Sequence, residues 1–520
     1  MVKTIVIVGG GSAGWMTAAT LSAQLQGVKI KLIESSDIPI IGVGESTIVP
    51  MVDYMQNLGL QESDWMGEVN ATYKSAIRFN DFYEKGHGFY YTFEPMRDVE
   101  GRPINRYWHN RYLSDPDNVD RMSFFDYCFV TPDILRQGST IRSVMSAGPS
   151  YHVDAGLLGD FLSRYACQRG VERIIDTIDE VTLDERGDIS GLRRSSGETL
   201  DADLYIDCTG FRSMLLGQAL NEPFDEYYDY LFNNKAVAMR FDYEDPRSEM
   251  LSYTNCTAQS AGWIWEVPLF TRRGSGYVYC DRYVSADEAE AEFRRHLGTD
   301  RVKDVDARHI DIRVGKHRNV WSRNCVAIGL AAGFMEPLES TGLFAVQLQA
   351  ETLARMLANG RNDYNVGDVT MYNTIVTEFF ENVRDFLCAH YMLTSREDTP
   401  YWRDVKYGMK VSDRLAEILR YARLTFVDAP IIRQMFRANF ADYSFTDGWE
   451  AVLIGMNHMP FDFGQFKGGV GPFEPAIADN VSKARIFQQE MMAYKQNELA
   501  KLPSHYDYLA GGVHQKSGAA

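Results

Sequence analysis

Cysteine is scarce and scattered. Seven occur among 520 residues, at positions 128, 167, 208, 256, 280, 325 and 388. An odd number without a CxxC spacing excludes a disulfide framework and a zinc ribbon, and no metal is expected. Buried thiols in a reducing compartment fit better, so the expected location is cytoplasmic. Long apolar runs are also missing, and none approaches the ~18 residues needed to cross a bilayer. The opening MVKTIVIVGG has one lysine, a short apolar run and then glycines, without the small-residue cleavage site of a signal peptide. Positive charge is in deficit, with 53 Lys and Arg against 71 Asp and Glu, a net charge of −18. That balance argues against nucleic acid or a membrane surface as a partner. No internal repeat or low-complexity linker breaks the chain, so its domains are expected to interleave.

What is present is ordinary globular composition, 45% apolar and 24% charged, on a chain long enough for a large core. TIVIV (4–8) is a continuous β-branched run, the pattern of a buried parallel strand. GGGSAG follows, then the helical WMTAATLSAQLQ and a second strand, KIKLIES, which together form a βαβ unit. Gly9, Gly11 and Gly14 make a GxGxxG around Ser12 and Ala13, between strand and helix. The first glycine permits the tight turn, the second lets a pyrophosphate approach the backbone, and the third lets helix and strand pack closely. Glu34 ends the second strand 20 residues after Gly14, where a carboxylate accepts hydrogen bonds from an adenosine ribose.

Two later strands, in LYIDCTG (204–210) and VAIGLAAGF (326–334), also run into glycine turns. In this they resemble flavoproteins of the glutathione reductase and hydroxylase type, with Gly329 and Leu330 at a turn where many of those proteins carry an Asp. No second GxGxxG offers a place for a nicotinamide cofactor, so flavin is preferred and the electrons must come from elsewhere. The expected fold class is α/β: an FAD-binding fold of the glutathione reductase/flavin monooxygenase type over residues 1–365. A second, largely antiparallel sheet at about 222–315 is interleaved with it. A mainly helical region follows over 366–510, and a flexible tail over 511–520.

Further motifs run the length of the chain: IPIIGVGEST (38–47), ATYKSAIRF (71–79), GWIWEVP (262–268), EPLESTG (336–342) and RDFLCAHYMLTSREDTPYW (384–402). In this order they resemble the flavin-dependent halogenases of the tryptophan halogenase family. GWIWEVP matches that family's WxWxIP signature with Val267 in place of Ile, and Gly42, Gly44 and Glu45 fall in an FAD-binding segment. The resemblance implies FADH2 delivered by a separate flavin reductase, with chloride or bromide oxidised to hypohalous acid at the flavin. That acid is relayed to Lys74 for electrophilic chlorination or bromination of an indole or another electron-rich aromatic. A homodimer is compatible with this picture.

The same resemblance gives roles to residues. Thr341 and Gly342 hold the halide, where free N–H groups at a helix start favour an anion. Lys74 hydrogen-bonds the hypohalous acid or reacts to a haloamine, and both remain open. Glu339 polarises the oxidant or takes the proton from the halogenated ring. Trp263 and Trp265 stand two apart on a strand, so their indoles share a face and would bar the organic substrate from the flavin. Each residue also has a plain reading: core aromatics, an N-cap, a solvated lysine, a capping carboxylate.

Departures from the family pattern concern the substrate. Tyr91 stands where a His is usual, while Phe93 is retained. In 429–445 the paired tyrosines are missing, with Ile431 and Ile432 near their place, and the sandwiching Trp is replaced near Ser444. Free tryptophan is therefore not the expected optimum, and bromide, the more easily oxidised halide, is favoured. The alternatives are a flavin-dependent aromatic hydroxylase and a non-catalytic FAD-binding redox protein.

Overall fold

The apolar run Thr4–Val8 lies near the middle of a six-stranded sheet. The strand order is Glu172–Ile175, Lys29–Glu34, Thr4–Val8, Leu204–Asp207, Cys325–Ala327 and Trp321–Ser322. The first five are mutually parallel and only the last pair is antiparallel. A parallel sheet needs cover on both faces, which is why the inner strands Thr4–Val8, Leu204–Asp207 and Cys325–Ala327 are almost wholly buried, while the edge strand Glu172–Ile175 is largely exposed. Helix Ser12–Gln24 is apolar around most of its circumference and is buried from Gly14 to Leu21. It packs against helices Ala155–Gln168 and Gly342–Leu357.

The computed structural model describes residues 1–36, 44–99, 102–114, 117–144, 149–427, 446–460 and 499–515, with single positions 489 and 497. Gly42, much of the expected helical region beyond 460, and the segment 429–445 with Ile431, Ile432 and Ser444 lie outside these residues.

The second sheet has seven strands: Arg308–Asp311, Lys235–Phe241, Arg273–Tyr279, Gly262–Pro268, Tyr253–Ala258, Ala76–Asn80 and Gly88–Thr92. Five fall within the expected 222–315. The other two come from much earlier in the chain. They join through a parallel pairing in which Tyr253 faces Ala76 and Thr257 faces Asn80. A parallel pair needs a long crossover, and the intervening chain supplies it. The remaining pairings are antiparallel. Strand Thr72–Lys74 belongs to a small third sheet with Ser150–Val153 and Glu45–Ser46, which brings Lys74 close to the FAD-binding segment.

From Val366 the described chain is mainly helical, over Val366–Met392, Pro400–Gly408, Asp413–Ala422 and Thr446–Gly455. The first starts with a capping box, Asn365 and Asp368 each satisfying a backbone N–H of the other. Residues 511–515, expected in the flexible tail, instead form turns. His514 is buried, stacked 3.7 Å from the Phe270 ring, and donates from Nε2 to the Ala71 carbonyl at 2.8 Å. Two aromatic faces and one hydrogen bond are enough to hold this stretch, although its glycines read as a loose end. Among the described residues no helix is long and apolar enough to cross a membrane.

Candidate active site

At the carboxyl ends of the parallel strands lies a cavity of about 620 Å³. Its wall includes Gly9, Gly11, Ser12, Ala13, Glu34, Gly44, Glu45, Gly329 and Leu330, all expected to hold the cofactor. The glycines divide by task. Gly9 has φ +109°, and a Cβ there would lie 2.3 Å from the Cys208 carbonyl oxygen. Gly14 does not face the cavity; a Cβ on it would lie 1.8 Å from the Gly9 carbonyl oxygen, so it serves close packing. A Cβ on Gly11 would meet nothing within 4 Å, which leaves its backbone open to a phosphate. Gly10, not singled out from the sequence, has the Glu34 carboxylate against its Cα, so a side chain there would displace the acid. Glu34 accepts a hydrogen bond from Arg173 Nε at 2.6 Å, which orients it at the end of its strand. The donor set and shape fit an FAD: backbone N–H groups and a helix start for the pyrophosphate, an acid for the ribose, an apolar chamber beyond. Burial pushes the Glu45 carboxyl up to about 7.

Of the two tryptophans, the structure brings only Trp265 to the cavity wall. Gly276 on the neighbouring strand makes room for it, since a Cβ there would lie 2.0 Å from the indole. Trp263 shares its face, with ring centroids 6.1 Å apart, but is fully buried behind it. The side-by-side arrangement is therefore one indole at the cavity and one supporting it in the core.

Ser340, Thr341 and Gly342 also face the cavity. Thr341 caps helix Gly342–Leu357 without a side-chain hydrogen bond to its first turn, so the positive helix end is turned to the cavity. A Cβ on Gly342 would meet nothing within 4 Å. Ser340 precedes them with φ +58°, and its hydroxyl accepts a hydrogen bond from Lys74 Nζ at 2.8 Å.

Lys74 is completely buried, the opposite of an ordinary lysine. Nζ also donates to the Thr47 carbonyl at 2.9 Å and lies 4.9 Å from the centre of the Phe93 ring. Burial pushes its pKa from 10.5 down to about 7, against the opposing attraction of Glu339 and Cys256. Relative to a lysine in water, this favours the neutral amine by about 5 kcal/mol, so desolvation outweighs the nearby carboxylate. The same burial, reinforced by Lys74, holds His152 well below its ordinary value and keeps it neutral.

Glu336 and Glu339 flank Pro337 and Leu338 and are both buried. Glu336 is well satisfied: Asn233 Nδ2 donates to it at 2.9 Å and the Tyr391 hydroxyl makes a short hydrogen bond to its other oxygen. Burial nevertheless pushes its carboxyl up to about 7. Glu339 differs. Among the described residues neither of its oxygens makes a hydrogen bond of good geometry, and it forms no ion pair with Lys74. Its nearest polar neighbour is His390 Nε2, 2.7 Å from Oε1. His390 lies inside RDFLCAHYML, a motif that identifies the segment but gives its histidine no role; nothing in sequence spacing connects it to Glu339.

Beside Lys74 stand aromatic rings, beginning with Phe93. Tyr91 and Phe93 leave the same sheet edge with centroids 5.7 Å apart and edge to face. Phe386 lies 6.5 Å from Tyr91, and Trp449 lies 5.0 Å from Phe386. Gly448 abuts Tyr91 and Phe386 so closely that a Cβ would come within 2.9 Å of both. Phe386, Gly448 and Trp449 were not expected from the sequence, because they join the site through helix packing alone.

Comparisons with known proteins agree with this geometry. Residues 4–470 match the family described as Tryptophan halogenase. The chain is 36% identical to Tryptophan 6-halogenase SttH of Streptomyces toxytricini, over 97% of each chain. The crystal structure of SttH superposes with a TM-score of 0.87 over 98% of this chain and 99% of that one. Tryptophan 7-halogenase RebH of Lentzea aerocolonigenes is 34% identical over 88% of this chain and 90% of its own. BrvH, a flavin-dependent halogenase from Brevundimonas sp. BAL3, is 30% identical with a TM-score of 0.84 over 98% of this chain and 99% of that one. With its FAD-shaped cavity opening at Ser340 onto a buried lysine, this chain belongs to the tryptophan halogenase family of flavin-dependent enzymes.

Proposed function

We propose that the enzyme halogenates an indole or another electron-rich arene, with Lys74 as the residue that hands over the halogen. The observation that carries this reading is the bond from Lys74 Nζ to Ser340 Oγ, because Ser340 also faces the cofactor cavity. Reduced FAD, when bound, supplies with O2 the oxidising power that turns halide into hypohalous acid. Gly9, Gly11 and Glu34 hold the cofactor, and Thr341 and Gly342 hold the halide at the helix start. Trp265 keeps an arene out of the cavity, with Trp263 as its support. Hypohalous acid formed beyond Ser340 meets an amine whose two N–H groups are taken by Thr47 and Ser340. Its lone pair is left for the halogen: the amine and HOX give the haloamine and water. The arene, lying against Tyr91 and Phe93, then takes the halogen, and Glu339 receives the proton that the ring releases.

The aromatic faces favour a flat, electron-rich substrate, and Tyr91 in the usual place of His departs from the pattern expected for free tryptophan. A bare indole or a larger indole-bearing molecule suits the site better. The test combines the enzyme with FAD, a flavin reductase, O2 and bromide against a panel of indoles including tryptophan, read by mass spectrometry. A bromine isotope pattern, strongest on an indole other than free tryptophan, is the expected result. A gain of one oxygen without halogen would make the enzyme a hydroxylase.

A further inference from the structure

His390 and Glu339 form a contact that a neutral imidazole and an ionised carboxylate would not tolerate. His390 Nδ1 lies 2.8 Å from the Phe386 carbonyl, four residues back on the same helix. A carbonyl only accepts, so Nδ1 carries the proton, and the neutral ring has a bare Nε2. That bare nitrogen would then face a carboxylate oxygen at 2.7 Å, two lone-pair atoms in contact with water excluded from both. Neither atom has a hydrogen-bond partner among the described residues; they are within ion-pair distance of each other without the alignment of a hydrogen bond. An uncompensated pair of this kind, buried, is unfavourable through both lost solvation and lone-pair repulsion. One proton placed between the two removes the conflict.

We propose that His390 is a positioning residue for the reaction, holding a single proton in common with Glu339 and thereby fixing the carboxylate beside the reacting ring. The balance is closed. As the halogen leaves the Lys74 nitrogen for the arene, that nitrogen takes one proton from the pair and regains its neutral amine. The arene, now carrying both hydrogen and halogen at one carbon, releases H⁺ to Glu339, and the C–H electron pair returns to the ring. The pair gives one proton and recovers one. Among the described residues the histidine side offers no other proton acceptor, because Nδ1 ends on a carbonyl and the ring packs beside Phe79 and Phe386. Among the described residues the charged or titratable groups that act on the pair are Lys74, Glu336 and Cys256. Glu336 is engaged by Tyr391 and Asn233, and burial holds the Cys256 thiol well above its usual range, so neither competes for the proton.

This rests on Glu339 as the proton acceptor. The test uses His390→Gln holoenzyme with reductase, O2 and bromide, comparing indole with ring-deuterated indole. The expected result is a kcat lower by about 100-fold with FAD and indole affinities unchanged. A primary isotope effect on ring deuteration should also appear that exceeds the wild-type value. Wild-type kcat and isotope effect, or a loss of kcat that merely follows a loss of FAD binding, would overturn it. Should His390→Gln fail to fold, low-field proton NMR of wild type and Glu339→Gln decides. A strongly deshielded resonance present in the first and absent in the second supports the shared proton, and identical spectra refute it. If Glu339→Gln itself turns over at the wild-type rate, it is the acceptor assignment that fails.

Discussion

On the cofactor side of Ser340 the protein presents backbone; on the Lys74 side it presents buried charge. The first chamber is shaped by residues without side chains, by a helix start and by one acid at a strand end. The second side is flanked by aromatic rings and holds an amine and two carboxyls that burial drives toward their neutral forms or leaves short of partners. Backbone recognition tolerates water and accommodates a large, polar cofactor. Buried charge is unfavourable unless it is used, and it acts strongly because little solvent screens it. On the proposed reading the two sides serve different tasks, holding and reacting, and Ser340 touches both.

If that division is right, it can be cut. Lys74→Ala should abolish halogenated product while leaving FAD affinity intact, as judged by product mass and flavin fluorescence titration. A variant that still brominates would remove the lysine from the pathway. Glu339→Gln should lower kcat by about 10²–10⁴-fold without weakening FAD, since it removes a proton acceptor and little volume. Gly14→Ala should do the converse. A methyl 1.8 Å from the Gly9 carbonyl oxygen forces helix and strand apart, costing about 1–3 kcal/mol in overpacking. FAD affinity should fall about tenfold or more, with turnover restored at saturating FAD. Full-strength FAD binding in that variant would break the packing argument.

The smallest expected effect is on pH. With the Lys74 pKa at about 7, turnover should rise as pH increases through that value, by up to about tenfold per unit below it, and then level off. A rate that falls over the same range would mean that the ammonium, donating to the oxidant, is the working form. The stability linkage has a definite sign as well. The lysine binds fewer protons folded than unfolded between about 7 and 10.5, so its contribution to stability grows with pH there. Glu45 and Glu336, raised from 4.5 to about 7, contribute stability that is present below 4.5 and declines up to 7.

The cofactor side was legible in the sequence because its signals are local. Gly9, Gly11, Gly14 and Glu34 sit within one βαβ unit, and each has a backbone reason to be what it is. The sheet strands at Ala76–Asn80 and Gly88–Thr92 were not assigned to the second sheet, because a parallel pairing across so long a crossover leaves no mark in either strand. Lys74 was legible only through a family resemblance, since a lysine between apolar neighbours on a short strand is otherwise unremarked. His390 was invisible. On its helix it reads as a late basic residue near the negative end, and only the fold carries it to Glu339. The same is true of the difference between Glu336 and Glu339, which are chemically identical in sequence and opposite in their partners.

Ser340 has one more consequence. A residue with a β-carbon held at φ +58° would be more comfortable as glycine. The loop keeps serine there, which means that relaxing the backbone and retaining the hydroxyl are in competition at this position. A Ser340→Gly enzyme should therefore be the sturdier protein and the poorer catalyst: the turn would lose its tension, and Lys74 would lose the hydroxyl that anchors its amine beside the cavity.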